Sequence, residues 1–211
     1  MYCFVPEWPA PDNVRSAMTV RAGGCSESPF NQNNLALHVG DTAADVQANR
    51  DALETTLNLS RSPVWLNQVH GTKVIYAPNA KGVPDADGSF SDQSGVPCVV
   101  LTADCLPVLL CDQNGTQIAA IHAGWRGLAN GILRRTLIEF SFTKNILAYL
   151  GPAIGPQAFE VGVDVREAFL SNAQDSVHQS AIKNAFIDAN AKYLADIYAL
   201  ARAELQACGV S

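Results

Sequence analysis

The chain has 211 residues, 48% of them hydrophobic and 16% charged, with 14 basic against 20 acidic side chains and a net charge of −6. That length suits one domain, since single cores stop growing near ~250–300 residues, and it buries roughly 70% of the unfolded surface without disulfide staples. The acidic balance, with no basic run, argues against a nucleic-acid or anionic-membrane partner, and no segment approaches the ~20 apolar residues of a membrane span.

The opening MYCFVPEWPAPDNV has no basic flank followed by an apolar stretch, so no secretory signal is expected and the cytoplasm is the expected location. Thr19–Phe30 is rich in Gly, Ser and Pro and reads as a loop after a short strand. Asp41 or Thr42 can cap a helix running to about Leu57, with Val46, Leu53 and Leu57 along one face. Val64–Val69 and Val74–Tyr76 read as short strands flanking His70-Gly71. Val96–Leu101, Leu106–Cys111 and Gln117–His122 are β-rich apolar runs. Gly124-Trp125-Arg126-Gly127 opens a helix carrying Leu128, Ile132, Leu137 and Ile138 at near-helical period. Asn145–Leu150 is a further strand, ended by GPAIGP, and Asp164–Leu170 and Lys192–Gln206 read as helices. Strands and helices mix irregularly and no repeat or linker appears. The expectation is therefore a single catalytic domain, 1–211, of the α+β class with mixed β-sheets and flanking helices.

Six cysteines show neither CxxC spacing nor the density of a disulfide scaffold. Five read as small apolar residues with reduced thiols. Cys105 differs, because LTADCLPVLL places Asp104 beside it inside an apolar run. A buried aspartate needs partners, so this pair suggests a polar site cut into the core. Of four histidines, His70 (QVHG) and His122 (IHAGWRG) follow apolar strands and precede small residues that leave room for a metal or substrate. His38 and His178 read as ordinary surface or capping residues.

His70, Cys105 and His122 make a natural three-ligand zinc set with a fourth position open. The separations of 35 and 17 residues are not a local finger pattern, so other readings stand beside it. The pair could be a cysteine nucleophile and histidine base, a blue-copper His₂Cys site, or two satisfied histidines and a buried thiol. A multicopper oxidase needs further copper clusters, for which four histidines are too few. Arg126 at a helix start suits phosphate or carboxylate. Arg21 precedes Gly23-Gly24 in a loop able to approach a ligand. Asp85 and Asp87 in VPDADG look like paired carboxylates, but this composition is more often a turn.

Taken in order, VRAGGCS, NNLALHVGD, ANR, WLNQVHG, DADGSFS, LTADCLPVLL, IHAGWRG and GPAIGPQAFEVGVDV resemble a bacterial family long called laccase-like, or multicopper polyphenol oxidase. That family is now described as zinc-dependent purine nucleoside phosphorylase, and also as peptidoglycan editing factor. The resemblance runs from about Trp8 to the C-terminus. It implies zinc, with copper as the alternative metal, held by His70, Cys105 and His122. It implies a layered α+β sandwich similar to some cysteine-hydrolase toxins. It implies phosphorolysis of adenosine, inosine, guanosine or methylthioadenosine, with adenosine deamination as a further activity. Arg21, Asn34, Gln68 and Arg126 fall in its motifs as substrate-side residues, with Arg126 holding phosphate and Asp104 orienting a ligand or shuttling a proton. The expected partners are a purine nucleoside and phosphate, with neither nucleic acid nor membrane, on a monomer or weak homodimer. An amidase editing cell-wall precursors and a copper phenol oxidase are the rival activities. The family pattern continues with a cysteine-containing strand, an F-F-S-x-R-R segment and a T-G-R turn, which are absent here.

Overall fold

Two neighbouring apolar runs form the centre of the computed structural model, which describes residues 1–140 and 145–210. Leu106–Asp112 (β5) and Ile118–Ala123 (β6) are buried along almost their whole length. Such strands read as continuous apolar runs because both faces of the sheet are covered. The Asp112 carboxylate accepts from the backbone N–H groups of Asn114, Thr116 and Gln117, closing the turn that sets their antiparallel register.

Around this pair a five-stranded sheet forms in the order β3-β4-β6-β5-β7, with β3 at Val74–Tyr76, β4 at Gly88–Ser91 and β7 at Ile146–Leu150. The β3–β4 pair is parallel and the other three pairs are antiparallel, so the sheet is mixed as expected. Short strands Cys3–Phe4 (β1) and Met18–Thr19 (β2) make a separate ribbon. Glu160–Val161 (β8), Phe186–Ala189 (β9) and Lys192–Ala195 (β10) make a third sheet in the order β8-β10-β9.

Six α-helices lie among the described residues: Ala43–Leu57 (α1), Trp125–Ala129 (α2), Ile132–Glu139 (α3), Val163–Ser171 (α4), Ser176–Asn184 (α5) and Ile197–Ala207 (α6). Ile132, Leu133 and Leu137 of α3 and Ile197, Leu200 and Leu205 of α6 enter one core with Leu106, Val108 and Ile121. On α1, Val46 and Leu53 are buried and the Arg50 guanidinium grips the Leu35 carbonyl with two N–H groups. The same guanidinium lies over the Trp65 ring. None of these helices is long and apolar enough to cross a membrane.

Several expectations are corrected. Lys192–Gln206 is not one helix: Lys192–Ala195 pairs in the third sheet, and Asp196 accepts from Tyr198 and Ala199 N–H to start α6. The helix opening at Gly124 breaks at Gly131, whose φ of 82° suits glycine, and Ile138 is exposed. Val64–Val69 and Val96–Leu101 form no regular strand. Pro97 removes a ladder donor from the second run, and at its end the Gln68 side chain pairs with the backbone, its amide donating to the Leu101 carbonyl and accepting from the Leu101 N–H, each at 2.7 Å. Of the two roles expected for His178, surface or capping, the surface one is excluded by its 5% exposure, while its Nδ1 accepts from Gln174 N–H just before α5.

Candidate metal centre

The sheet register decides which side chains meet. Gly88 pairs with Ile121 and Leu106 with Ala123, so the residue before β4, Asp87, faces His122 near the end of β6. The residue before β5, Cys105, lies beside Gly124. The parallel β3–β4 pair brings in the turn just before β3, which carries His70. Four segments distant in sequence thus converge at one end of one sheet.

Ligand atoms of His70, Cys105 and His122 all lie within 4.8 Å of one another, and among the described residues these three form the sole such group of His, Cys, Asp or Glu. The Cys105 Sγ to His70 Nε2 separation is 3.9 Å. The two imidazoles stand edge to face with centroids 4.8 Å apart. Bonds of about 2.0–2.3 Å at tetrahedral angles separate ligand atoms by about 3.3–3.8 Å. Small side-chain adjustments therefore bring all three onto one ion, and the group can hold a metal.

Two glycines make this crowding possible. A Cβ on Gly124 would stand 3.0 Å from His70 Cδ2, 3.1 Å from Cys105 Sγ and 3.4 Å from His122 Cε1. A Cβ on Gly127 would stand 2.7 Å from the Gly71 carbonyl oxygen, so the backbone of α2 packs directly on the turn bearing His70.

Electrostatics differ among the three. Burial holds the His122 imidazole below its ordinary pKa, outweighing the opposing pull of Asp87. The ring is thus neutral near pH 7, the form that ligates metal. Burial, with Asp104 and then Asp87 adding to it, pushes the Cys105 thiol up. A cysteine activated as a nucleophile needs the opposite shift, whereas a bound cation deprotonates a coordinating thiol outright.

The most consequential residue missed by sequence reasoning is Asp87, fully buried and 2.9 Å from His122 Nδ1. Its composition signal is that of a turn, and only the β4–β6 pairing reveals its place. Asp104, expected to be buried, is exposed, with its carbonyl accepting from Ile154 N–H; it ends the Leu101–Asp104 loop before β5 rather than lying within the apolar strand. Asp85 accepts a hydrogen bond from Asn67.

Arg126 is exposed on α2, its guanidinium 4.3 Å from the Trp125 ring centre. The Gly124 end of that helix abuts the triad, and Arg126 follows it by two residues in the chain. Arg21 donates to the Asn31 and Pro29 carbonyls within its own loop. Asn34 is bonded to Asp41 and to both backbone groups of Ala36, its own carbonyl accepting from Asn49. Gln68 is bonded to Leu101, as described. Arg21 and Asn34 therefore brace the loop that packs on α1, and Gln68 braces the segment before His70.

A family model described as multi-copper polyphenol oxidoreductase laccase matches residues 15–211. A purine nucleoside phosphorylase of Shigella flexneri, YfiH, is 49% identical over 212 aligned residues, covering 98% of this chain and 84% of that protein. A purine nucleoside phosphorylase of Pseudomonas aeruginosa is 48% identical, covering 99% and 84%. Among solved structures, a Neisseria meningitidis protein of the DUF152 family superposes with a TM-score of 0.91 at 46% identity, covering 99% of this chain and 84% of that one. YlmD from Geobacillus stearothermophilus gives 0.80 at 29% identity, covering 93% and 77%.

Proposed function

The chain belongs to this laccase-like family, and from that membership we propose that it is a zinc-dependent purine nucleoside phosphorylase. The observation that carries the reading is the convergence of His70, Cys105 and His122 within 4.8 Å, in a chain whose near relatives are named purine nucleoside phosphorylases.

Zinc suits the donor set, two imidazoles and one thiolate. Charge favours a divalent ion as well. With one thiolate at Cys105 and one carboxylate at the fully buried Asp87, a +2 ion leaves the centre neutral, whereas a +1 ion strands a negative charge in the core. A multinuclear copper oxidase needs further ligand clusters, and the described residues supply one group of three.

In phosphorolysis a phosphate oxygen bonds to C1′ of the ribose as the bond from C1′ to the base nitrogen breaks, and the base leaves taking a proton. When bound, zinc supplies Lewis acidity toward the oxyanion. Arg126 binds the phosphate, its guanidinium steadied over Trp125. Asp104, exposed and adjacent to Cys105 in the chain, holds or hands on the proton. His70, Cys105 and His122 keep the ion at the end of the sheet. Gln68 holds the segment leading to His70 against the segment leading to Cys105, and Arg21 and Asn34 brace the loop on α1.

The test is incubation with inosine, guanosine, adenosine and methylthioadenosine, each with and without phosphate. Phosphate-dependent appearance of free base and the matching sugar 1-phosphate, ribose 1-phosphate or, from methylthioadenosine, 5-methylthioribose 1-phosphate, is the expected result. Adenosine also reports ammonia, which measures deamination. Release of an amino acid from a cell-wall precursor, or oxygen consumption with a phenol, in place of base release would assign the centre to a rival activity.

A further inference from the structure

Asp87 is fully buried and contributes a charge to the centre, yet it is neither a ligand nor a participant in the phosphate and proton transfers. We propose that Asp87 is the positioning residue of the metal centre, presenting His70 and fixing the tautomer of His122 through one carboxylate. The proposal rests on reading the triad as a metal site.

The carboxylate collects four donors. Oδ2 accepts from Val69 N–H at 3.2 Å and Gly71 N–H at 2.7 Å, and Oδ1 accepts from His70 N–H at 2.9 Å. His122 Nδ1 lies 2.9 Å from the same Oδ1. Three successive backbone N–H groups converge on one anion only when the chain curls into a concave nest with a left-handed residue in it. That residue is His70, whose φ is 58°, a conformation non-glycine residues seldom adopt. The anion and the unusual backbone explain each other: Asp87 rewards the curl that brings the His70 ring to Cys105.

The second half concerns His122. A carboxylate only accepts, so the ring proton of neutral His122 sits on Nδ1. The lone pair of Nε2 is then free to ligate, in the arrangement by which carboxylates orient metal-binding histidines. The Asp87 backbone is itself fixed in the sheet, donating to Lys73 and accepting from His122 N–H, so the carboxylate cannot drift.

An asparagine of the same shape would fail in either orientation. With its nitrogen toward His122, it donates to Nδ1, drives the ring proton to Nε2 and blocks ligation. With its oxygen toward His122, its NH₂ faces the N–H groups of Val69 and Gly71, and the His70 turn loosens. Each orientation costs one imidazole ligand.

The experiment has two arms. Long-range ¹H–¹⁵N spectra of metal-free wild-type protein should show His122 protonated on Nδ1, and zinc affinity by chelator competition should fall about 10–100-fold in Asp87→Asn. Spectra of the variant should show His122 protonated on Nε2 in part or in whole, a change that a general loss of stability does not produce. Wild-type His122 protonated on Nε2, or a folded variant that binds zinc as tightly as wild type, would overturn the proposal. If the variant does not fold, the wild-type tautomer decides. A wild-type chain that binds no zinc but carries the proton on Nδ1 overturns the metal reading and leaves Asp87 as the residue that orients His122.

Discussion

Gly124 and Cys105 are so close that a Cβ on the glycine would lie 3.1 Å from the cysteine sulfur. The Gly124 backbone, at φ −62° and ψ 154°, lies in a region open to any residue, so alanine there meets a purely steric obstacle. Gly124→Ala should lower kcat/KM by up to about a hundredfold through misplaced ligands. Stability should change by no more than about 1 kcal/mol, because alanine also restricts the unfolded chain. Nucleoside cleavage and thermal unfolding of the same preparation check both halves.

Removing the Arg126 side chain should weaken phosphate without disturbing the metal. A charge-assisted hydrogen bond contributes about 1.5–3 kcal/mol, and exposure reduces that. Arg126→Ala should therefore raise the KM for phosphate about tenfold, with bound zinc and the KM for inosine little changed. Equal phosphate KM values would remove Arg126 from the oxyanion site.

Asp104 and Asp87 separate by burial, and their variants should separate accordingly. Asp104 is exposed, unlike the buried Asp87, so Asp104→Asn should keep wild-type zinc content. If it manages the proton of the leaving base, turnover should fall about 10²-fold or more. Steady-state kinetics beside elemental analysis distinguishes this from metal loss.

Away from the site, His178 and Glu204 form a buried pair 3.6 Å apart. Burial pushes the imidazole below and the carboxyl above its ordinary pKa, so both favour their neutral forms. Below pH 6.5, the ordinary histidine value, the unfolded chain takes up a proton that folded His178 resists, and stability falls with pH. Glu204 acts in the opposite sense: the folded carboxyl keeps a proton the unfolded one releases, so stability from it falls as pH rises above 4.5. His178→Gln removes the first effect alone. From pH 7.5 to 5 the melting temperature of the wild type should fall more than that of the variant. Parallel curves would mean that His178 titrates alike in both states.

The residues alone leave the metal triad one of several readings, because His70, Cys105 and His122 stand 35 and 17 residues apart; the ordered family motifs single it out. Asp87 was not legible, because VPDADG is written like a surface turn and becomes a buried anion site only when β4 docks between β3 and β6. The same docking buries Ser89 and Ser91, giving a strand that carries little β-propensity of its own. Lys192–Ala195 went the other way: its apolar residues continue the helical period of α6, and pairing with β8 and β9 overrides it. Gln68 is expected on the substrate side because it falls in a family motif; the contact that sequence does not reveal is its amide pairing with both backbone groups of Leu101. The α+β class with mixed sheets followed from irregular element order, which is less sensitive to such local reversals.

The central claim is that one zinc at His70, Cys105 and His122 drives phosphorolysis of a purine nucleoside. Its most direct measurement is the rate of phosphate-dependent hypoxanthine release from inosine as zinc is titrated into metal-free protein. The account predicts that activity rises linearly and saturates at one zinc per chain, and that Cys105→Ala stays inactive at every zinc level. Full activity without bound metal, or undiminished activity in Cys105→Ala, would contradict it.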